Sequence, residues 1–132
     1  MGVVVADMDN DNWLDLFVEN YQSPYHALLN DAKIADVSAS FREVCLVRGV
    51  GLDRDGFALA FMGIANGDIN KDGQIDLFVT TFSQETPTLF LSQPDGHFSD
   101  STREAGLRAP CFSMLGFGTQ FLDVDSDSYP EL

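Results

Sequence analysis

Apolar residues in this chain come in short runs, rich in β-branched and aromatic side chains and separated by stretches of Asp, Asn, Gly and Ser. The runs are Gly2 to Ala6, Leu14 to Glu19, Tyr25 to Asn30 and Phe41 to Val47, then Ala60 to Asn66, Ile75 to Phe82, Pro87 to Ser92 and His97 to Ser101. They suit strands better than helices, and several are apolar on both alternating sets of positions, as in strands covered on both faces. Between them the chain predicts turns at Asn20 to Pro24, at Asp53-Arg54-Asp55-Gly56 within the loop Gly49 to Gly56, and at Gln93-Pro94-Asp95-Gly96. Arg103 to Ala109 predicts one helical turn before Gly106. Asp31 to Ser40 carries no pattern that assigns it.

The order of elements repeats. A strand, an acidic loop and three further strands occur twice, and a third copy starts at Phe112. Asp7, Asp68 and Asp123 open the three acidic loops, 61 and then 55 residues apart, each with a glycine five residues upstream (Gly2, Gly63, Gly118). Phe41 is followed by Gly49, and Phe98 by Gly106, at the same spacing. The chain therefore divides into a first repeat at 1–56, a second at 57–111 and the start of a third at 112–132. Four short strands per repeat make an all-β fold of β-propeller blades, each of four antiparallel strands, in a partial, open propeller. Blades hide their apolar faces against neighbours, so open terminal faces, with Leu14 to Val18 and Ile75 to Val79 near them, predict self-association.

The loops carry the candidate chemistry. In Asp68-Ile69-Asn70-Lys71-Asp72-Gly73-Gln74-Ile75-Asp76, oxygen side chains stand at positions 1, 3, 5 and 9, with a glycine at 6. Hard cations such as Ca²⁺ take about six to eight oxygen ligands, and side chains at alternate positions of a tight loop can converge on one centre. Gly73 permits the positive φ of such a bend, and Gln74 would add its backbone carbonyl. The first copy runs from Asp7 to Asp15 and the third from Asp123 to Glu131.

Net charge is −14, and 11 of the 21 acidic residues lie in these three loops; three Ca²⁺ ions would bring it to −8. Seven Lys and Arg make no basic patch for nucleic acid. No apolar run is long enough to span a membrane, and the N-terminus has neither a signal-peptide pattern nor a myristoylation signal. Cys45 and Cys111 occupy non-equivalent places in their repeats and read as buried free thiols, with a disulfide as the alternative for a secreted chain.

The motif Gly-x-x-x-x-Asp-x-Asp/Asn-x-Asp-Gly/Asn-x-x-Asp-Leu-Phe-Val, at Gly2–Val18 and Gly63–Val79, resembles the FG-GAP (VCBS) repeat family found in integrin α-subunit propellers, cartilage acidic proteins and secreted bacterial proteins. Phe98 to Leu107 looks like the inter-repeat segment of the bacterial and cartilage acidic subgroup. The resemblance implies Ca²⁺ in the loop between the first two strands of each blade. The implied ligands are Asp7, Asp9, Asp11, the Trp13 carbonyl and Asp15; then Asp68, Asn70, Asp72, the Gln74 carbonyl and Asp76; then Asp123, Asp125, Asp127, the Tyr129 carbonyl and Glu131. Asn12 and Ser128 depart from the loop glycine, and Glu131 from Asp, so two complete sites and a variant third are implied. The resemblance further implies a segment of a longer extracellular or periplasmic protein, with the remaining blades as partners and a protein or carbohydrate ligand bound by propeller loops.

Two other readings stand against this one. A helical calcium module, EF-hand-like or dockerin-like, shares the opening of the motif; but Val18 and Val79 stand where an EF-hand has a bidentate Glu, and β-rich sequence follows each of the two complete loops. A carboxylate-dependent hydrolase would need one acid pair rather than a recurring loop, and His26 and His97 lie in unrelated places. Trp13, Phe17, Phe78, Phe82, Phe90, Phe98 and Phe117 are read as blade-to-blade core rather than a ligand-stacking set.

Overall fold

A computed structural model of the chain describes residues 2–20, 25–31 and 40–131. The turn expected at Asn20 to Pro24 and the unassigned stretch before Ser40 fall largely outside these residues. Two four-stranded antiparallel sheets carry the fold. The first has β1 (Val3–Ala6), β2 (Asp15–Val18), β3 (His26–Asn30) and β4 (Phe41–Glu43), paired in chain order. The second has β5 (Phe61–Gly67), β6 (Asp76–Thr81), β7 (Thr88–Ser92) and β8 (Phe98–Asp100), paired likewise. Up-and-down sheets of this kind are propeller blades, and with two of them the structure is an open part of a propeller rather than a closed ring.

The blades pack face to face. Val4, Phe17, Ala27 and Leu29 of the first blade meet Leu77, Val79 and Phe90 of the second in one buried cluster. Tyr25 sits among them, its ring centroid 5.1 Å from Phe17, 4.1 Å from Phe61 and 6.4 Å from Phe90. Strand β6 is buried along its whole length. Leu77 and Val79 point to the first blade, while Phe78 joins Ala65 and Leu89 in a second cluster under Phe121 and Leu107. An extra residue at Met62 breaks the β5–β6 register, which puts Phe61 and Ile64 on the same core despite their odd spacing.

Several sequence expectations need correction. The strand expected over Phe41 to Val47 stops at Glu43. The chain then turns: Arg48 N–H donates to the Val44 carbonyl (2.8 Å), Val50 N–H to the Cys45 carbonyl (3.0 Å), and Gly49 takes a φ of 79°. The apolar run is real, but Val44 and Cys45 enter the core from a turn while Leu46 and Val47 face solvent. The same turn recurs at Ser101 to Leu107, as expected, but the single helical turn α1 (Arg108–Cys111) after it was not foreseen. Of the seven aromatic residues read as core, Phe17, Phe78, Phe90 and Phe98 are buried; Trp13, Phe82 and Phe117 are exposed, because they stand in or beside loops. Ile75 to Val79 is not near open surface, since both sides of β6 are covered; in the first blade, by contrast, Val3, Val5, Leu14 and Phe41 are among the exposed apolar residues.

The third unit forms no strand among its described residues beyond a bridge between Leu122 and Glu131. It nevertheless runs close over the second blade. A Cβ on Gly63 would lie 2.6 Å from the Phe117 carbonyl oxygen, so only glycine admits this approach. Cys45 and Cys111 are free, and burial pushes the Cys45 thiol up to about 12. Among the described residues no helix is long and apolar enough to cross a membrane.

Candidate metal centres

The three acidic loops share one backbone design. The first joins β1 to β2, the second joins β5 to β6, and the third lies inside the Leu122–Glu131 bridge. The helix-flanked reading is thereby overturned, since antiparallel strands hold the two complete loops.

In each loop the opening acid accepts backbone N–H bonds from further along. Asp7 Oδ1 and Oδ2 take Asp11 and Asn12 (3.1 and 2.8 Å). Asp68 takes Asp72 and Gly73 (3.0 and 2.8 Å), and Asp123 takes Ser128 (2.9 Å). The fifth-position acids Asp11, Asp72 and Asp127 accept from Trp13, Gln74 and Tyr129 (2.9, 2.9 and 2.7 Å). The ninth-position acids Asp15, Asp76 and Glu131 accept from Met8, Ile69 and Val124 (2.9, 3.1 and 2.9 Å).

These bonds fold each loop around its own carboxylates. The backbone turns left-handed at the sixth position in all three: Asn12 (φ 69°), Gly73 (83°) and Ser128 (71°). Asn12 and Ser128 therefore take the same conformation as the loop glycine. The fourth position is left-handed as well, at Asn10, Lys71 and Ser126. That second bend was missed in the sequence; Asn10 and Ser126 were its signal, and Lys71 gave none.

Carboxylate oxygens of Asp7, Asp9 and Asp15 lie within 4.8 Å of one another, as do those of Asp123, Asp125 and Asp127. Among the described residues the second loop forms no such trio. Its third position is Asn70, whose Oδ1 accepts from the Asp72 N–H and whose amide nitrogen donates to Asp72 Oδ2, both at 3.0 Å. Asp9 Oδ1 is buried and has no hydrogen-bond partner. A buried carboxylate oxygen left unpaired is costly. An all-oxygen donor set around it has the chemistry of a hard-cation site. Asp7, Asp9, Asp11, Asp15 and the Trp13 carbonyl are the groups that would hold the ion there.

Asp15 and Asp76 are fully buried. Each gives its second oxygen to the third strand of its blade, Asp15 Oδ1 accepting from Asn30 N–H (2.8 Å) and Asp76 Oδ1 from Ser92 N–H (2.9 Å). Burial raises the pKa of both above the usual carboxylate value, against the lowering effect of those backbone bonds. Asp9 is raised too, by burial first and then by Asp11, with Arg48 pulling the other way.

A raised folded-state pKa means that the folded protein holds the proton more tightly than the unfolded chain. Its stabilising contribution is complete below the unfolded value and is lost as pH rises through the raised one. The metal-free protein should therefore gain melting temperature as pH falls from about 7 toward the ordinary carboxylate value of about 4. Thermal melts in a chelator check this; a melting temperature that falls steadily on acidification over that range contradicts it.

The loops line a cleft of about 630 Å³ between the blades, walled by Asp9, Asp11, Asp72, Gln74 and Gly96. Comparison of the chain with curated proteins found no match. The model of the FG-GAP-like repeat matches residues 68–132, from the second acidic loop through the third. The first blade lies outside that match but repeats the loop bonds and strand order of residues 68–132, which form an FG-GAP-like repeat.

Proposed function

We propose that this chain is a calcium-binding propeller segment, non-enzymatic, in which the ions hold the loops between paired strands. The observation that carries this reading is the unpartnered, buried Asp9 Oδ1 amid the converging acids of the first loop. Without a cation the clustered carboxylates repel; with one they are neutralised, and the connection between the first two strands is fixed. The ligands are those of the three loops from Asp7 to Asp15, Asp68 to Asp76 and Asp123 to Glu131, with the third the weakest because it is the most exposed. The surrounding protein is extracellular or periplasmic, where millimolar calcium is available. Further blades are its structural partners, and a protein or carbohydrate ligand is taken by loops on the rim.

Calcium fits better than zinc because no nitrogen or sulfur side chain enters the loops. It fits better than magnesium because the donor count exceeds what a rigid octahedron with several retained waters needs. Calorimetric titration of metal-free protein should show calcium binding with a Kd of about 10⁻⁴–10⁻³ M or tighter, and weaker binding of magnesium. Absence of calcium heat at millimolar ion, or equal preference for magnesium, refutes the proposal.

A further inference from the structure

The first and second loops differ in formal charge. Loop one has four carboxylates (Asp7, Asp9, Asp11, Asp15), and loop two has three, with Asn70 in place of Asp9. A second difference lies far away in sequence. The turn after the last strand of each blade is built by the same bonds: Arg48 N–H to the Val44 carbonyl in the first blade, Ala105 N–H to the Ser101 carbonyl in the second. At equivalent places in that turn, the first blade has Arg48 and the second has Ala105.

Arg48 is mostly buried, and its guanidinium reaches back to loop one. Nη2 lies 3.4 Å from Asp9 Oδ2, while Nη1 donates to the Gly96 carbonyl at 2.7 Å. Its own carbonyl accepts from Phe98 N–H at 2.7 Å, so the residue is clamped at both ends. Gly96 has no side chain to obstruct it; a Cβ there would lie 2.5 Å from Nη1. The blade with the additional carboxylate thus has an arginine on that carboxylate, and the blade with an amide has an alanine.

We propose that Arg48 is the built-in counter-charge of the first loop. It occupies Asp9 Oδ2, leaves Oδ1 to the cation, and offsets the one carboxylate that loop one has beyond the three of loop two. Arg48 thereby sets the ion affinity of the first loop and touches no ion itself. This inference rests on the calcium reading above.

The experiment uses Tb³⁺ as the calcium surrogate. Trp13 is the chain's one tryptophan and stands in loop one, so Tb³⁺ luminescence excited through tryptophan reports that loop most strongly, and calcium competition gives its affinity. Removing one positive charge a few ångströms from a divalent ion, under near-aqueous screening, changes affinity by about tenfold. Arg48→Gln, which removes the charge and keeps a polar side chain, should therefore tighten calcium at loop one about tenfold. Arg48→Lys, which keeps the charge but not the fork, should stay within about twofold of the parent. Asp9→Asn combined with Arg48→Gln, which gives loop one an amide and an uncharged partner as in the second blade, should return near the parent value, whereas Asp9→Asn alone should weaken binding.

Unchanged or weakened binding in Arg48→Gln, or a large loss in Arg48→Lys, overturns the inference and leaves Arg48 a strut between blades. If Arg48→Gln does not fold, the lysine variant alone decides. Failure of the calcium reading looks different: the parent protein itself would give no tryptophan-excited Tb³⁺ signal that calcium displaces.

Discussion

Phe90→Ala should cost a large share of this protein's stability. Phe90 lies in β7, fully buried, with its ring edge-on to Tyr25 at 89°. It belongs to the cluster in which the two blades meet. Deleting a buried phenylalanine ring costs about 3–5 kcal/mol, because the cavity left behind closes only in part. Total stability of a small domain is about 5–15 kcal/mol. Tyr25, Phe17 and Phe61 cannot easily move in, because each is already held in ring contact from the other side. Urea unfolding in saturating calcium measures the effect. Phe82→Ala is the control: that ring is about two-fifths exposed, and its loss should cost under about 1 kcal/mol. Similar losses for the two would mean that the blade interface is not where the stability resides.

That contrast between Phe90 and Phe82 shows how far the sequence could be read. Strand order and the three loops were legible because their signals are local. The bend at the sixth loop position falls on Asn, Gly or Ser, and a blade strand needs a short run that is apolar on both faces. Burial of one aromatic against another was not legible, because it depends on which face each strand turns to its neighbour. The extra residue at Met62 reverses that face partway along β5, and no local signal announces it. Val44 and Cys45 misled for a related reason: residues that enter the core from a turn are as apolar as residues that enter it from a strand. Trp13 misled because a loop aromatic beside a strand looks like the strand's first residue.

The link from Arg48 to Asp9 spans 39 residues and leaves no motif. Its trace was present nonetheless, in the mismatch between the repeats: an acid against an amide at one position, and an arginine against an alanine at another. Comparing a repeat protein with itself, position by position, could have paired them before any coordinates existed. Lys71 is a parallel case. Its ammonium lies 3.3 Å from the centre of the Tyr129 ring, so loops two and three are also joined by a cation. Both contacts place a positive charge where neighbouring acidic loops approach, which offsets repulsion that strand pairing alone would leave in place.

Asp76→Ala and Asp68→Ala should separate the two tasks that the loop acids perform. Asp76 is fully buried and accepts two backbone bonds, from Ile69 and from Ser92, which join the loop to β7. Alanine leaves both N–H groups without an acceptor, and each buried unsatisfied group costs about 1–3 kcal/mol. Part of that is returned, because the substitution also removes a carboxylate that burial disfavours. The net loss in chelator should still be about 2–4 kcal/mol, with Asp76→Asn in between, since its amide oxygen keeps one acceptor. Asp68 is half-buried, and its two N–H partners, Asp72 and Gly73, can turn to water. Its loss in chelator should be about 1 kcal/mol or less, as for an exposed capping side chain. In calcium both losses grow, and the proportional change is larger for Asp68→Ala. Asp68→Ala should forfeit the stabilisation that its loop's ion adds, which grows with ion concentration as binding linkage requires. Asp76→Ala forfeits that as well, on top of a penalty already paid without the ion. Thermal and urea unfolding of both variants, with and without calcium, gives the four values needed. Equal losses for Asp68→Ala in the two conditions would mean that Asp68 builds a turn and nothing more. A harmless Asp76→Ala in chelator would mean that the buried bonds to Ile69 and Ser92 do not hold the blade together.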